Sequence, residues 1–185
     1  MVRCKPLTSF VLGAFFLTNV TSAQSVKFKW WTQVDGIMED MGKAVSIAHD
    51  GNILLLQYSS SYSAVLGDST KIFPGTSLIK FNPEGKLLWA KPVMHIGQAM
   101  AVDDNGNILV AGHSVFDLSV TKLSATGELL WSHTIGKNMT YEIAYSVDVD
   151  KEGNVFVSGV FEGTHDFDPG SEIFQMTAEK ESAHF

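Results

Sequence analysis

An all-β chain built from repeated four-stranded antiparallel units is what this sequence predicts, on three observations. A Gly-Asn pair recurs at 51–52, 106–107 and 153–154. Each copy runs into a β-rich stretch: Ile53-Leu54-Leu55-Leu56, Ile108-Leu109-Val110 and Val155-Phe156-Val157. A turn glycine stands four residues ahead of a tryptophan twice, in Gly85-Lys86-Leu87-Leu88-Trp89 and in Gly127-Glu128-Leu129-Leu130-Trp131. No window of about eleven residues holds a sustained helical stripe, whereas short apolar runs bounded by Gly, Asn, Asp and Pro occur throughout.

The first element has the pattern of an export leader. Arg3 and Lys5 give a basic start, Leu7 to Val20 is mostly apolar, and Thr21-Ser22-Ala23 offers small residues for cleavage before Gln24. The apolar run falls short of the ~20 residues of a membrane span, so a cleaved product without a span is expected, an uncleaved anchor being the alternative. The expected location is therefore secreted, or periplasmic or cell-surface in a bacterium. Cys4, the only cysteine, lies inside the leader, so residues 24–185 have no disulfide and depend on packing alone. A cysteine-free exported chain leans toward a bacterial source. Loss of residues 1–23 removes two bases and no acid, leaving 11 Lys and Arg against 20 Asp and Glu, a formal charge of −9. The bases are scattered singly, which excludes a phosphate-tracking surface and hence a nucleic-acid partner.

The repeat follows from aligning the chain with itself. Segments beginning Ala44, Ala99 and Ala144 lead into the glycines Gly51, Gly106 and Gly153, at intervals of 55 and 47 residues, and Trp89 and Trp131 are 42 apart. These intervals match the ~40 to 50 residues of a four-stranded propeller blade. The middle copy parses into strands near 98–103, 107–112, 118–123 and 128–134, with Asp-Asn-Gly-Asn and Ala-Thr-Gly-Glu as hairpin turns that put glycine at a positive φ. The expected fold is an incomplete β-propeller, with unit boundaries of about 37–94, 95–136 and an incomplete 137–185, and Val26 to Val34 as a lone outer or closing strand. A single sheet of this kind cannot bury both faces, so neighbours must stack. Trp31, Trp89 and Trp131 are the expected plugs between them, and Gly51, Gly106 and Gly153 the repeated turns.

These residues resemble a known family. Gly153-Asn154-Val155-Phe156-Val157-Ser158-Gly159, Phe161-Glu162-Gly163-Thr164, Asp166-Phe167-Asp168-Pro169-Gly170 and Gly127-Glu128-Leu129-Leu130-Trp131-Ser132 are similar to the repeats of secreted bacterial β-propeller-repeat proteins, often called seven-bladed propeller repeats. The resemblance implies a noncatalytic scaffold or binding role, with a protein or carbohydrate at the cell surface as partner, and carries no catalytic residue. About two full units and a partial third fit into 24–185, whereas a closed ring takes at least four blades. A fragment of a longer propeller is expected, with a self-associating partial ring as the alternative. Thr126-Gly127-Glu128-Leu129-Leu130-Trp131 with Gly136 is also similar to the tryptophan-docking motif of quinoprotein dehydrogenase propellers and of outer-membrane assembly propellers. That resemblance implies either a PQQ-dependent oxidoreductase or a periplasmic assembly scaffold. The acidic metal cluster and the basic group that a quinone needs are not evident in the sequence.

Candidate sites are few. Asp166 and Asp168, with His165 beside them, lie in an irregular segment and offer oxygen ligands for calcium, although Asp-Pro-Gly is itself a turn former. Asp148-Val149-Asp150-Lys151-Glu152-Gly153 opens like a calcium loop, but Gly159 falls where an EF-hand needs glutamate, and the other copies mark this segment as a repeated turn. The six histidines have no zinc spacing, and no nucleophile elbow or phosphate-binding glycine loop occurs. No catalytic or cofactor-binding residue is expected. The contact surfaces expected for a propeller are the long segments Ser59 to Thr76 and Gly163 to Thr177.

Overall fold

The computed structural model describes residues 10–17, 26–36, 38–61, 64–66, 70–136, 141–179 and 183–185. Phe10–Leu17 (β1), within the expected leader, runs antiparallel to Val26–Asp35 (β2). Asp40–Ile47 (β3) and Ile53–Ser59 (β4) form a hairpin, after which Ala64–Leu66 (β5) and Thr70–Ile72 (β6) form a short one that pairs with the end of β2. Gly75–Phe81 (β7) and Leu87–Val93 (β8) complete a sheet of order β3-β4-β7-β8. Ile96–Val102 (β9), Ile108–Ser114 (β10), Asp117–Leu123 (β11) and Leu129–Ile135 (β12) repeat that order strand for strand. Ile143–Val149 (β13) and Val155–Phe161 (β14) open the next sheet. A hairpin of Thr164–Asp166 (β15) and Gln175–Thr177 (β16) follows, and Ala183–His184 (β17) then pairs with β14. The described residues are all-β, in several small antiparallel sheets.

One expectation is corrected. Val26 to Val34 is not a lone strand, because β1 pairs along it and β5 pairs with Val34 and Asp35. The third sheet has three strands among the described residues, Ala183 and His184 pairing with Phe161 and Val160 on the free edge of β14.

The repeated turns have one hydrogen-bond plan. The amides of Ala48, Asp103 and Asp150 donate to the carbonyls of Asn52, Asn107 and Asn154, and the amides of Gly51, Gly106 and Gly153 donate back to the first residue's carbonyl. Each of these glycines has φ between 77° and 87°, a region that a Cβ disfavours. Asp103 Oδ1 accepts the amides of Asn105 and Asn107, and Asp150 Oδ1 accepts that of Asn154, so these acids serve their own turns. Under the first two turns lies an equivalent lysine. Lys122 pairs with Asp103 at 2.7 Å; in the preceding sheet, where Ala48 replaces that acid, Lys80 pairs with Asp50 at 2.6 Å.

The middle strands β4 and β10 are buried on both faces, which explains their unbroken apolar runs. One face of the β3-β4-β7-β8 sheet packs Ile53, Leu55, Ile79 and Phe81 against Val34, Leu66 and Ile72. The other packs Leu54, Leu56 and Leu78 against Ile108 and Val110. Leu109, Ala111 and Val120 then meet Ala144 and Val147. Successive sheets are thus stacked face to face.

Tryptophans join the outer strands of one sheet to the turns of the next. A Cβ on Gly85 would lie 2.5 Å from Cδ2 of Trp30, and one on Gly127 would lie 3.3 Å from Cη2 of Trp89. Trp30 also donates its Nε1–H to the carbonyl of Pro83 at 3.1 Å. The plug in β2 is therefore Trp30, whereas Trp31 is 58 % exposed, which corrects the assignment of Trp31. The register gives the reason. In β2, β8 and β12 a bulged residue, Lys29, Leu88 or Leu130, directly precedes the tryptophan, so Trp30 is the equivalent of Trp89 and Trp131. Strand alternation then turns Trp31 to the opposite face.

This assignment predicts different costs for adjacent tryptophans. Trp30→Ala is expected to lower stability by about 3 kcal/mol, through the cavity and the lost hydrogen bond. Trp31→Ala should stay within about 0.5 kcal/mol. Urea denaturation monitored by circular dichroism distinguishes them, and equal losses would return the plug role to both.

Candidate interaction surface

Strand direction sorts the connections into two ends. The turns 48–52, 82–86, 103–107, 124–128 and 150–154 lie at one end, and the links β2–β3, β4–β7, β8–β9, β10–β11 and β12–β13 at the other. Among the described residues, the first end has no exposed large apolar side chain in its turns. The links of the other end carry Met38, Phe73, Met94, Val115 and Phe116, with Met94 and Val115 86 % and 75 % exposed. Ile173 and Phe174 add to them from the β15–β16 loop, and this hairpin sits beside the end of β12, where both line one cleft.

Val115 is the residue most at odds with its local chemistry. The β10–β11 register pairs Ser114 with Asp117, leaving Val115 and Phe116 as a two-residue turn. Val115 has φ 54°, where Asn or Gly is the usual occupant of such a turn, and a β-branched residue there is strained by roughly 1 to 2 kcal/mol. A sequence signal for it was present, since the turn between the predicted strands 107–112 and 118–123 lacks Asn and Gly.

Two concavities lie at this end. One, of about 300 Å³, is shaped by Pro74 to Thr76, Val93 to Ile96, Ser114 and Val115. The other, of about 370 Å³, brings Thr134 and Gly136 together with Thr164, His165, Asp166, Asp168 and Gln175. It contains the expected calcium ligands, but their Oδ1 atoms are already used within the loop. Asp166 accepts the amides of Asp168 and Phe174, and Asp168 accepts that of Gly170. Among the described residues no three His, Cys, Asp or Glu side chains are grouped as a metal site. Behind this cleft His165 Nε2 faces Glu142 Oε1 at 2.8 Å and the carbonyl of Glu162 at 2.5 Å, with both side chains buried. A carbonyl oxygen only accepts, so Nε2 carries the proton it donates to Glu162.

Glu142 was not foreseen, and it belongs to a series. Each inner strand has a bulge at Lys43, Gln98 or Tyr145, preceded by a small residue, Gly42, Gly97 or Ala144. Two residues earlier stand Asp40, His95 and Glu142, all buried. Aligning Ala144 with Ala44 and Ala99 hid this, because Ser146 is their counterpart in the register. Burial disfavours the charged form of His95 and nearby His113 adds to the effect, so its pKa falls from 6.5 to about 4 despite a backbone hydrogen bond with Val110. Asp103 is buried too, but the Lys122 pair and the Asn107 and Asn105 hydrogen bonds outweigh that cost and lower its pKa to about 2.

No family model and no curated protein matches this chain. Among solved structures it is similar to a protein of unknown function from Bacteroides caccae, with 15 % identity and a TM-score of 0.48 over 84 % of this chain. The chain spans about half of that protein, 52 % of its length.

His95 gives a pH prediction. The fold keeps it neutral, whereas the unfolded chain takes up a proton below pH 6.5, so its contribution is full above 6.5 and declines as the pH falls toward 4. The loss should reach roughly 2 kcal/mol by pH 5, above most carboxylate titration. Denaturant midpoints measured from pH 7.5 to 5 should show this slope in the wild type and its reduction in His95→Gln; an unchanged slope would refute the assignment.

Proposed function

We propose that this chain is a noncatalytic, exported β-propeller-type interaction module, and that the end formed by the β4–β7, β8–β9, β10–β11 and β12–β13 links docks a protein. The carrying observation is the segregation of exposed loop apolar residues to that end, with Met94, Val115 and Phe116 at its middle. Apolar and aromatic side chains gathered on loops of a rigid β scaffold are the chemistry of protein recognition. The sheets act as blades in this reading, each stacked on the next through a tryptophan and a glycine turn.

Val115→Asn should relieve the left-handed strain and raise stability by about 0.5 to 1 kcal/mol, yet abolish docking together with Met94→Glu. The check is capture of surface proteins of the source cell by immobilised wild type, by these variants, and by Asn105→Ala at the opposite end. Loss in the first two alone supports the reading, and equal capture by all refutes it. Intact mass of the mature product tests export: removal of residues 1–23 supports it, and retention of residues 10–17 opposes it.

The polar cleft of about 370 Å³ supports a second reading, a carbohydrate ligand, since Thr134, Thr164, Asp166 and Gln175 present hydroxyl, carboxylate and amide groups together. Titration with surface glycans of the source organism, against Asp166→Ala, distinguishes it from protein docking.

A further inference from the structure

Asp40, Gln57, Ser59 and Ser77 lie on one face of the β3-β4-β7-β8 sheet, where the apolar packing against β2 and β5 gives way. Asp40 is paired with Ser59 across β3 and β4, and Gln57 with Ser77 across β4 and β7, so the four side chains point the same way. Along this face the rows Ile53–Phe81 and Leu55–Ile79 are apolar, and the next two rows are polar. All four residues are buried, with Asp40 8 % and Gln57 0 % exposed. Ser61, also buried, joins them across Gly36. A Cβ on Gly36 would run into Ser61 Oγ and lie 2.9 Å from Asp40 Oδ2, so only glycine lets these two oxygens approach there.

The hydrogen bonding of this cluster is incomplete in a particular way. Ser59 Oγ accepts the amide of Ser61, and Ser61 Oγ that of Met38. Among the described residues, both carboxylate oxygens of Asp40, both amide atoms of Gln57 and the hydroxyl of Ser77 have no hydrogen-bond partner. Among the described residues no lysine, arginine or histidine forms a salt bridge with Asp40. Buried polar groups are otherwise almost always paired, and a buried carboxylate without a counter-charge is far more costly than an unpaired hydroxyl. Water alone would satisfy the hydrogen bonds and leave that charge uncompensated. A cation compensates the charge and is coordinated by the oxygens, leaving the Gln57 amide N–H groups to donate to water.

We propose that this cluster binds a hard monovalent cation of the sodium and potassium class, held by Asp40 with the Gln57 carbonyl and the hydroxyls of Ser59, Ser61 and Ser77. The donor set is entirely oxygen, which suits a hard ion and excludes the softer metals that need imidazole or thiolate. One carboxylate among neutral oxygens balances a single positive charge, whereas calcium sites gather several carboxylates. The ion would sit between β2 and the following sheet and join them where their apolar contact ends.

The test is thermal unfolding of the full chain at constant ionic strength in sodium, potassium or choline chloride. A rise of about 3 to 6 °C is expected at tenfold excess over the dissociation constant in sodium or potassium relative to choline, saturating with concentration. Asp40→Asn should remove the dependence. If that variant does not fold, Ser77→Ala, which deletes one neutral ligand, should shift the half-saturating concentration upward several-fold. Equal melting temperatures in the three salts, or an undiminished cation response in Asp40→Asn, would overturn the proposal. A response to millimolar calcium alone would overturn the monovalent assignment.

Discussion

The contact between a tryptophan and the turn glycine of the following sheet is the constraint on which the rest depends. A four-stranded antiparallel sheet whose middle strand is apolar on both faces is not stable in water alone; it needs a neighbour on each side. Trp30 over Gly85 and Trp89 over Gly127 set the distance and angle at which that neighbour arrives. The glycine does two jobs there. Its φ of 79° to 85° closes the hairpin, and its missing side chain leaves a flat seat for the indole. No other residue satisfies both, which explains why the Gly-x-x-x-Trp spacing recurs: one residue receives the preceding sheet and the other reaches the next.

The two ends of the molecule divide labour accordingly. Hairpins at one end are held by Asp, Asn and Gly in a repeated hydrogen-bond plan, with Lys80 and Lys122 anchoring two of them to the sheet. That end is locally determined and leaves little room for variation. At the other end the links differ in length, from the two-residue Val115-Phe116 turn to the insertion carrying β5 and β6. Local turn chemistry is weaker there, strain is present at Val115, and apolar side chains reach solvent. The proposed docking role rests on this contrast between a rigid scaffold and one variable end.

The series Asp40, His95 and Glu142 shows a different use of repetition. Each copy places an ionisable side chain at the same buried position, yet each meets different surroundings. Asp40 stands among serines and Gln57, His95 near Thr121 and His113, and Glu142 against His165. The backbone repeat conserves the place, and the neighbouring links supply the partner. Charge at this position is therefore governed sheet by sheet, through groups far apart in the chain.

Much of this was legible in the residues themselves. The all-β class, the strands of the middle unit to within about two residues and the glycine turns followed from period-2 runs and Gly-Asn punctuation, because those signals are local. The sequence alone could not choose between Trp30 and Trp31, since adjacent tryptophans in a strand face opposite sides and only the bulge at Lys29, seen through pairing with β1, sets which one faces the next sheet. Nor could it reveal β17, whose two residues owe their strand to the open edge of β14. Asp166 and Asp168 were visible as a loop with oxygen donors, but their commitment to backbone amides came from the closed loop. Composition and spacing determined which segments are strands and turns, because these depend on neighbours in sequence. Burial of single polar groups, the grouping of Asp40 with Gln57 and Ser77, and the gathering of apolar loops at one end were decided by the tertiary structure, because they depend on pairings across dozens of residues.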